Sequence, residues 1–378
     1  MSARHHLIRN ARYFDGATLT GPATVQFDGN DFAGAFGTDY HMQGAAEIDL
    51  GGDILFAGYV DLQVNGGDGI LFNSAPHCDG LRRMAKAHRR LGTTAFLPTL
   101  ITDTPEVTRA AIAATQDAVA AQVDGIAGLH LEGPHLSLAR KGAHAGGLIR
   151  PMTEQDLAVY LAAAASLPCL KLTIAPENVT EDQVARLARA GVILSLGHTD
   201  ADYDTCLRYF KAGVRATTHL FNAMSQLNSR APGLVGATLG TGSVSAGVIA
   251  DGLHVHPQSL RAAWDAKKGP CGLFLVTDAM AVAGSDITEF DLCGRQITRK
   301  DGILTLADGT LAGADLDLTR AVKVMVEDVG ISLVDALCAA TSTPAALIGL
   351  SYRQVPLQRM MRLSTRRWTL TPLENDLT

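Results

Sequence analysis

Eight short, mostly apolar runs separated by stretches of helical spacing constrain this chain more than any other feature. They read YVDLQVN, TTAFLPTL, IAGLHLEG, LKLTIAPE, VILSLGHT, ATTHLFNA, SAGVIADGLH and LFLVTDAM, between Tyr59 and Met280. Apolar runs of this length suit strands covered on both sides, and an intervening crossover helix makes neighbouring strands parallel. The helical stretches carry their own end signals. In TEDQVARLARAG, Val184, Leu187 and Ala188 share a face, Thr180 is placed to cap the start and Gly191 to stop the end. The predicted fold is therefore α/β, a (β/α)8 TIM-type barrel. A doubly wound open sheet is the alternative, but no G-x-G-x-x-G follows a first strand.

The rhythm differs at both ends. Residues 1–55 alternate short β-type runs such as LIRNARYF and ATVQFDG with glycine and asparagine turns, which predicts the N-terminal part of a small β-sandwich module. Residues 56–350 are assigned to the barrel. The remaining 351–378, SYRQVPLQRMMRLSTRRWTLTPLENDLT, are basic and continue neither pattern.

Composition narrows the function classes. With 47% hydrophobic residues, 19% charged residues and 38 glycines, the chain suits many buried strands and tight turns rather than disorder. The net charge of -6 gives no footprint for nucleic acid or an anionic membrane, so an anionic ligand must be met by a few local basic groups. Cys78, Cys169, Cys206, Cys271, Cys293 and Cys338 are scattered and form no C-x-x-C pair, the usage of a reduced, cytoplasmic protein. The first ten residues have no apolar h-region, and no later apolar run is long enough to span a bilayer.

The chemistry lies in where the polar residues fall. Glu132, His198, His219, His254 and Asp278 each end a different predicted strand, and in a barrel those ends converge on one mouth. Taken singly, each has a plain structural reading: Glu132 paired with a lysine or arginine, a histidine satisfied in the core, Asp278 capping a turn. Taken together, Glu132, His198 and His219 supply the three protein ligands of a catalytic zinc site. A bound divalent ion there lowers the pKa of its water from about 15.7 towards about 7, which makes hydrolysis the natural reaction class. Asp278 is then the candidate to take the water's proton and deliver it to the leaving group. No G-x-S-x-G, P-loop or zinc-ribbon pattern appears to support another class. The first run remains odd, because VDLQVNG places Asp61, Gln63 and Asn65 on one face of a strand, a face that alone suits a solvated sheet edge.

The segments GYVDLQVNGGDGILFN, GLHLEGPHLS, RKGAHAGG, LGHTDADY, THLFNAMSQLNSRAPGLVGA, VIADGLHVHP, LVTDAMAVAG and GTLAGA, in order from about residue 50 to 350, resemble the N-acetylglucosamine-6-phosphate deacetylase family of the amidohydrolase superfamily. The resemblance places the metal ligands on Glu132, His198 and His219 and the catalytic aspartate on Asp278. It adds His144, with a catalytic and sugar-binding role, and Asn222 and Ala223 at the sugar and N-acetyl group. Arg230 and His254 correspond to phosphate contacts, partly supplied across a homodimer interface in relatives. The implied reaction releases acetate and glucosamine 6-phosphate.

Many superfamily members carry His-x-His where this chain has Gln63-x-Asn65, and amides are weak zinc ligands. One divalent ion per subunit, Zn2+ by its ligands, is therefore expected, with Gln63 beside it or touching it through water and Asn65 in support. The C-terminal segment departs from the family's glycine-rich turn and strands. It reads as an alternative ending, a disordered tail or the trace of a shifted reading frame, so completion of the β module stays open. Two other readings remain: an amidohydrolase acting on an N-acyl amino acid or cyclic amide, which does not need Arg230 and His254, and a catalytically silent barrel scaffold.

Overall fold

The computed structural model describes residues 5–352 and 356–376. Eight parallel strands form the barrel: β1 (Tyr59–Val64), β2 (Thr93–Ile101), β3 (Leu129–Glu132), β4 (Leu170–Ile174), β5 (Ile193–Leu196), β6 (Ala216–Thr217), β7 (Ser245–Val248) and β8 (Leu273–Leu275). Strands consecutive in this series are hydrogen-bonded neighbours throughout. The seam between β8 and β1 closes just beyond β8, through a parallel bridge between Val64 and Ala279. There the Asp278 amide donates to the Gln63 carbonyl at 3.0 Å and the Asn65 amide to the Ala279 carbonyl at 2.8 Å.

This closure explains the polar face of the first run. Strand alternation sends Val60, Leu62 and Val64 one way and Asp61, Gln63 and Asn65 the other. All six are at most 2% exposed, so the solvated-edge reading fails. Barrel interiors are usually filled by Val, Ile and Leu; this one carries charge. Asp61 accepts from Thr277, and burial pushes its carboxyl up to about 7. Burial pushes the Lys171 ammonium down to about 8. His130 lies between the Thr99 and Thr173 hydroxyls at 3.1 and 2.7 Å.

The helices follow their sequence signals. In Glu181–Arg189 the Thr180 hydroxyl accepts from the Gln183 amide while the Gln183 side chain accepts from the Thr180 amide, a reciprocal cap. Val184 and Leu187 are buried, Ala188 is half-buried, and Gly191 follows the helix in the left-handed region.

The small module is one seven-stranded sheet made from both ends of the chain. Five strands come from the N-terminal side: His5–Phe14, Leu19–Asp28, Asp31–Phe36, Ala46–Asp49 and Ile54–Phe56. The C-terminal segment adds the hairpin Met361–Ser364 and Thr369–Pro372, whose first strand runs antiparallel to Ile54–Phe56. The disordered-tail reading is therefore wrong for 361–372; residues 353–355 and 377–378 lie outside the described residues. The reason is local patterning: Met361 and Leu363 are fully buried while Arg362 between them pairs with Asp53 at 2.8 Å. Leu357, Met360 and Leu373 join Ile8, Val25, Phe27 and Leu55 in a core separate from that of the barrel.

After β8 the chain inserts an antiparallel sheet, Glu289–Leu292, Arg295–Lys300 and Ile303–Thr305, where no strands were expected. Leu292, Ile297, Leu304 and Ala312 pack on Ile101 and Met280, so this insert forms part of the wall over the barrel mouth.

Candidate active site

The polar residues at the strand ends turn inward by a shared backbone device. His198, His219 and Asp278 have φ of +48°, +29° and +51°, left-handed values that each cost a non-glycine residue about 1–2 kcal/mol. Such conformations persist where surrounding bonds hold them, and they cluster at functional sites. Gly197, just before His198, is needed for fit, since a Cβ there would press on Thr173 and Thr218.

Glu132, His198 and His219 meet at one point. The two Nε2 atoms are 3.0 Å apart, and Glu132 Oε1 lies 3.3 Å from His198 Nε2 and 3.1 Å from His219 Nε2. Ligand atoms around a tetrahedral zinc with bonds of about 2.0–2.1 Å stand about 3.3 Å apart, so the triangle has the edge lengths of one tetrahedral face. His198 is oriented for this, because its Nδ1 donates to the Arg140 carbonyl at 2.8 Å and leaves Nε2 free as a ligand. Burial disfavours the Glu132 carboxylate, but its contacts with the His198 and His219 rings outweigh burial and hold its pKa well below the usual range. The same contact with Glu132 raises His219 against the effect of burial.

Gln63 and Asn65 join this triangle to Asp278. Gln63 Nε2 lies 3.1 Å from both Glu132 oxygens and from Asp278 Oδ1, and Asn65 Nδ2 donates to Asp278 Oδ1 at 2.6 Å. Burial first, and the Glu132 charge second, raise the Asp278 pKa. Gln63 Oε1 and Asn65 Oδ1 are buried and have no partner among the described residues, so the site carries unsatisfied acceptors beside the ligand triangle. A divalent cation fits this donor set: three convergent ligand atoms and a net negative surround.

The triangle opens into a cavity of about 390 Å³. Its wall includes His144, Asn222, Ala223, His254 and Asp278, bringing together all but one of the substrate-side residues expected from the sequence. The His144 ring stands 4.4 Å from the His198 ring, and burial, then the His198 charge, push it down to about 3, a neutral ring. Asp251 accepts from His254 Nδ1 at 2.6 Å and fixes that ring in the wall. Arg230 is the exception. It is exposed, outside the cavity wall, in an adjoining depression with Arg140, Asp200 and Ser225.

Sequence reading missed two participants. Thr102 bonds to His144, but a threonine just past an apolar strand carries no signal of its own. Leu292 and the insert had a signal, alternating EFDL and RQITRK followed by Asp301-Gly302, a dipeptide that marks hairpins.

The sequence model of the amidohydrolase family matches residues 54–353, which span the whole barrel. The chain belongs to that family. Members are metal-dependent, and in this amidohydrolase the buried Glu132, His198 and His219 cluster is where three ligand atoms converge. It is 47% identical over 294 residues to an N-acetylgalactosamine-6-phosphate deacetylase of Shewanella sp. (strain ANA-3), covering 78% of this chain and 74% of that one. The crystal structure of N-acetylglucosamine-6-phosphate deacetylase from Pasteurella multocida superposes with a TM-score of 0.90 at 32% identity, over 96% of each chain. A Mycobacterium smegmatis N-acetyl-D-glucosamine-6-phosphate deacetylase mutant, in complex with N-acetyl-D-glucosamine-6-phosphate, gives 0.87 at 28% identity, over 98% of this chain and 97% of that one. These relatives establish the barrel with a small β module and the hydrolysis of amide bonds as the family's architecture and chemistry. No described helix is long and apolar enough to cross a membrane.

Proposed function

We propose that this amidohydrolase hydrolyses the acetamide of N-acetylglucosamine 6-phosphate to glucosamine 6-phosphate and acetate. The observation that carries the reading is the Glu132, His198 and His219 triangle with Asp278 tied to it through Gln63. Those three residues would hold one divalent ion, zinc by the donor set of one carboxylate and two imidazoles. When bound, the ion supplies positive charge that lowers the pKa of water and polarises a carbonyl.

The side chains carry the proton and the orientation. Asp278, held by Asn65 and Gln63, takes a proton from the attacking water and returns it to the departing amine. His144 donates to the acyl oxygen. Ile101, Ala143, Met280, Leu292 and Ala312 give the cavity wall an apolar part, which suits the acetyl methyl and excludes water. Asn222 and Ala223, in the same cavity wall, meet the sugar, and His254 offers its Nε2 to the phosphate. Arg230 reaches a phosphate as the contribution of a second subunit in a homodimer, a reading supported by its exposure beside the exposed Leu227. The six unpaired cysteines support a reducing, cytoplasmic location.

A second reading differs only at one sugar hydroxyl. The 47% identical relative named for the galactosamine epimer favours N-acetylgalactosamine 6-phosphate. Acetate release from both epimers, with unphosphorylated N-acetylglucosamine and an N-acyl amino acid alongside, decides among them. The primary reading expects the gluco phosphate to have the highest kcat/KM; a higher value for the galacto epimer moves the assignment. Metal-loaded protein that releases acetate from neither phosphate sinks both.

A further inference from the structure

Thr102 is buried directly after β2, and it grips His144 by two atoms. Its backbone N–H donates to His144 Nδ1 at 3.3 Å, and its hydroxyl lies 2.8 Å from the same nitrogen. The hydroxyl is also 3.3 Å from the Glu132 carbonyl, so one side chain touches both the histidine and the backbone of a ligand-bearing residue. Its place is wedged: a Cβ on Gly133 would collide with Thr102 Oγ1.

A backbone amide can only donate. The hydroxyl has a single proton, and the 2.8 Å contact with Nδ1 takes it in preference to the 3.3 Å contact with the Glu132 carbonyl, so Nδ1 presents its lone pair and the ring proton of a neutral imidazole sits on Nε2. Nε2 has no hydrogen-bond partner among the described residues, while His144 lines the cavity. The opposite tautomer would set N–H against N–H at Thr102 and face a lone pair towards the substrate oxygen. We propose that Thr102 is a positioning residue that fixes the His144 tautomer and ring plane, so that Nε2–H faces the acyl oxygen. The proposal rests on the reading that His144 meets that oxygen.

The arrangement differs from ordinary support of a metal ligand, because Thr102 acts on a residue outside the ligand triangle. Its effect belongs in kcat, where a donor to developing negative charge is felt, and not in metal affinity. Partners that orient a metal ligand change affinity or activity by about 10–100-fold, and a partner that orients a catalytic histidine works by the same hydrogen-bond geometry. The amide donor survives a side-chain change, so the lower end is expected.

The test compares Thr102→Val with Thr102→Ser in metal-loaded protein. The valine variant should lose about tenfold in kcat with KM within about twofold and metal content unchanged, and the serine variant should recover to within about threefold of the parent. In a His144→Ala background, Thr102→Val should cost less than about twofold, since the two act as one unit. A tenfold loss that persists in that background, or a loss that tracks metal content, overturns the proposal. Nitrogen-15 NMR of His144, assigned by difference from His144→Ala, reads the tautomer without any turnover. Protonation at Nε2 is expected in the parent at neutral pH, and protonation at Nδ1 or a cationic ring overturns the proposal. A parent enzyme inactive on both hexosamine phosphates but carrying the Nε2 tautomer would sink the substrate reading alone.

Discussion

The two sides of the barrel mouth are built from different chemistry. The side formed by β3, β5 and β6 ends in Glu132, His198 and His219, whose ligand atoms lie 3.0 to 3.3 Å apart. The side formed by β8 and β1 ends in Asp278, Gln63 and Asn65, a carboxylate held by amide donors. Imidazole and carboxylate hold a transition metal well, whereas amides hold protons and carboxylates in place. One side is thus suited to fixing a cation and the other to moving a proton, with Gln63 touching both.

That division can be broken experimentally, and the largest effect is expected on the cation side. His219→Ala should remove the metal and lower acetate release by about 10⁴-fold, because water then keeps its ordinary pKa. Metal analysis beside the assay checks this, and a variant that loses activity with its metal intact contradicts the division. Asp278→Asn should lower kcat by about 10³-fold with metal content unchanged, since the acid–base group is lost and the ligands are not. Metal lost together with Asp278 would place it among the ligands.

Gln63→His puts an imidazole on the proton side. Metal bound per chain should rise from one towards two, while kcat falls by about tenfold as Asp278 loses one of its donors. Two fully occupied positions in the parent protein would refute the single-ion expectation. The smallest effect is expected outside both sides. His88, bonded to the Gly66 carbonyl, and His135, between the Arg150 carbonyl and the Tyr160 hydroxyl, are both pushed by burial down to about 4. Between pH 6.5 and 4 the unfolded chain binds protons that these folded rings refuse, so stability falls as pH falls, by about 1–3 kcal/mol for each ring. Thermal melts from pH 7.5 to 4.5 should show this slope in metal-free protein, and less of it in His88→Gln. A flat profile would mean that these rings are protonated in the fold.

Much of the molecule was legible in the chain. The eight βα units and the capped helix at Glu181–Arg189 follow from periodicity and end signals, which act over a few residues. The convergence of Glu132, His198, His219 and Asp278 was legible because a barrel places every strand end at one mouth. The pairing of Met361–Ser364 with Ile54–Phe56 was not, because two runs some 300 residues apart carry no mark of each other. Nor was the place of Arg230, whose neighbours are set by a loop rather than by a strand end.

Strand and helix order, the residue types at the mouth and hence the class of chemistry are written in the chain, because alternation, capping and ligand type are properties of short segments. The inward aim of the polar face of β1 came instead from folding, since the closing contact of Val64 with Ala279 joins β1 to the segment after β8 and Asp61, Gln63 and Asn65 are buried. Folding also decided that His144 Nδ1 meets the amide and hydroxyl of Thr102, 42 residues away. Bond directions between distant segments exist only once the barrel has closed.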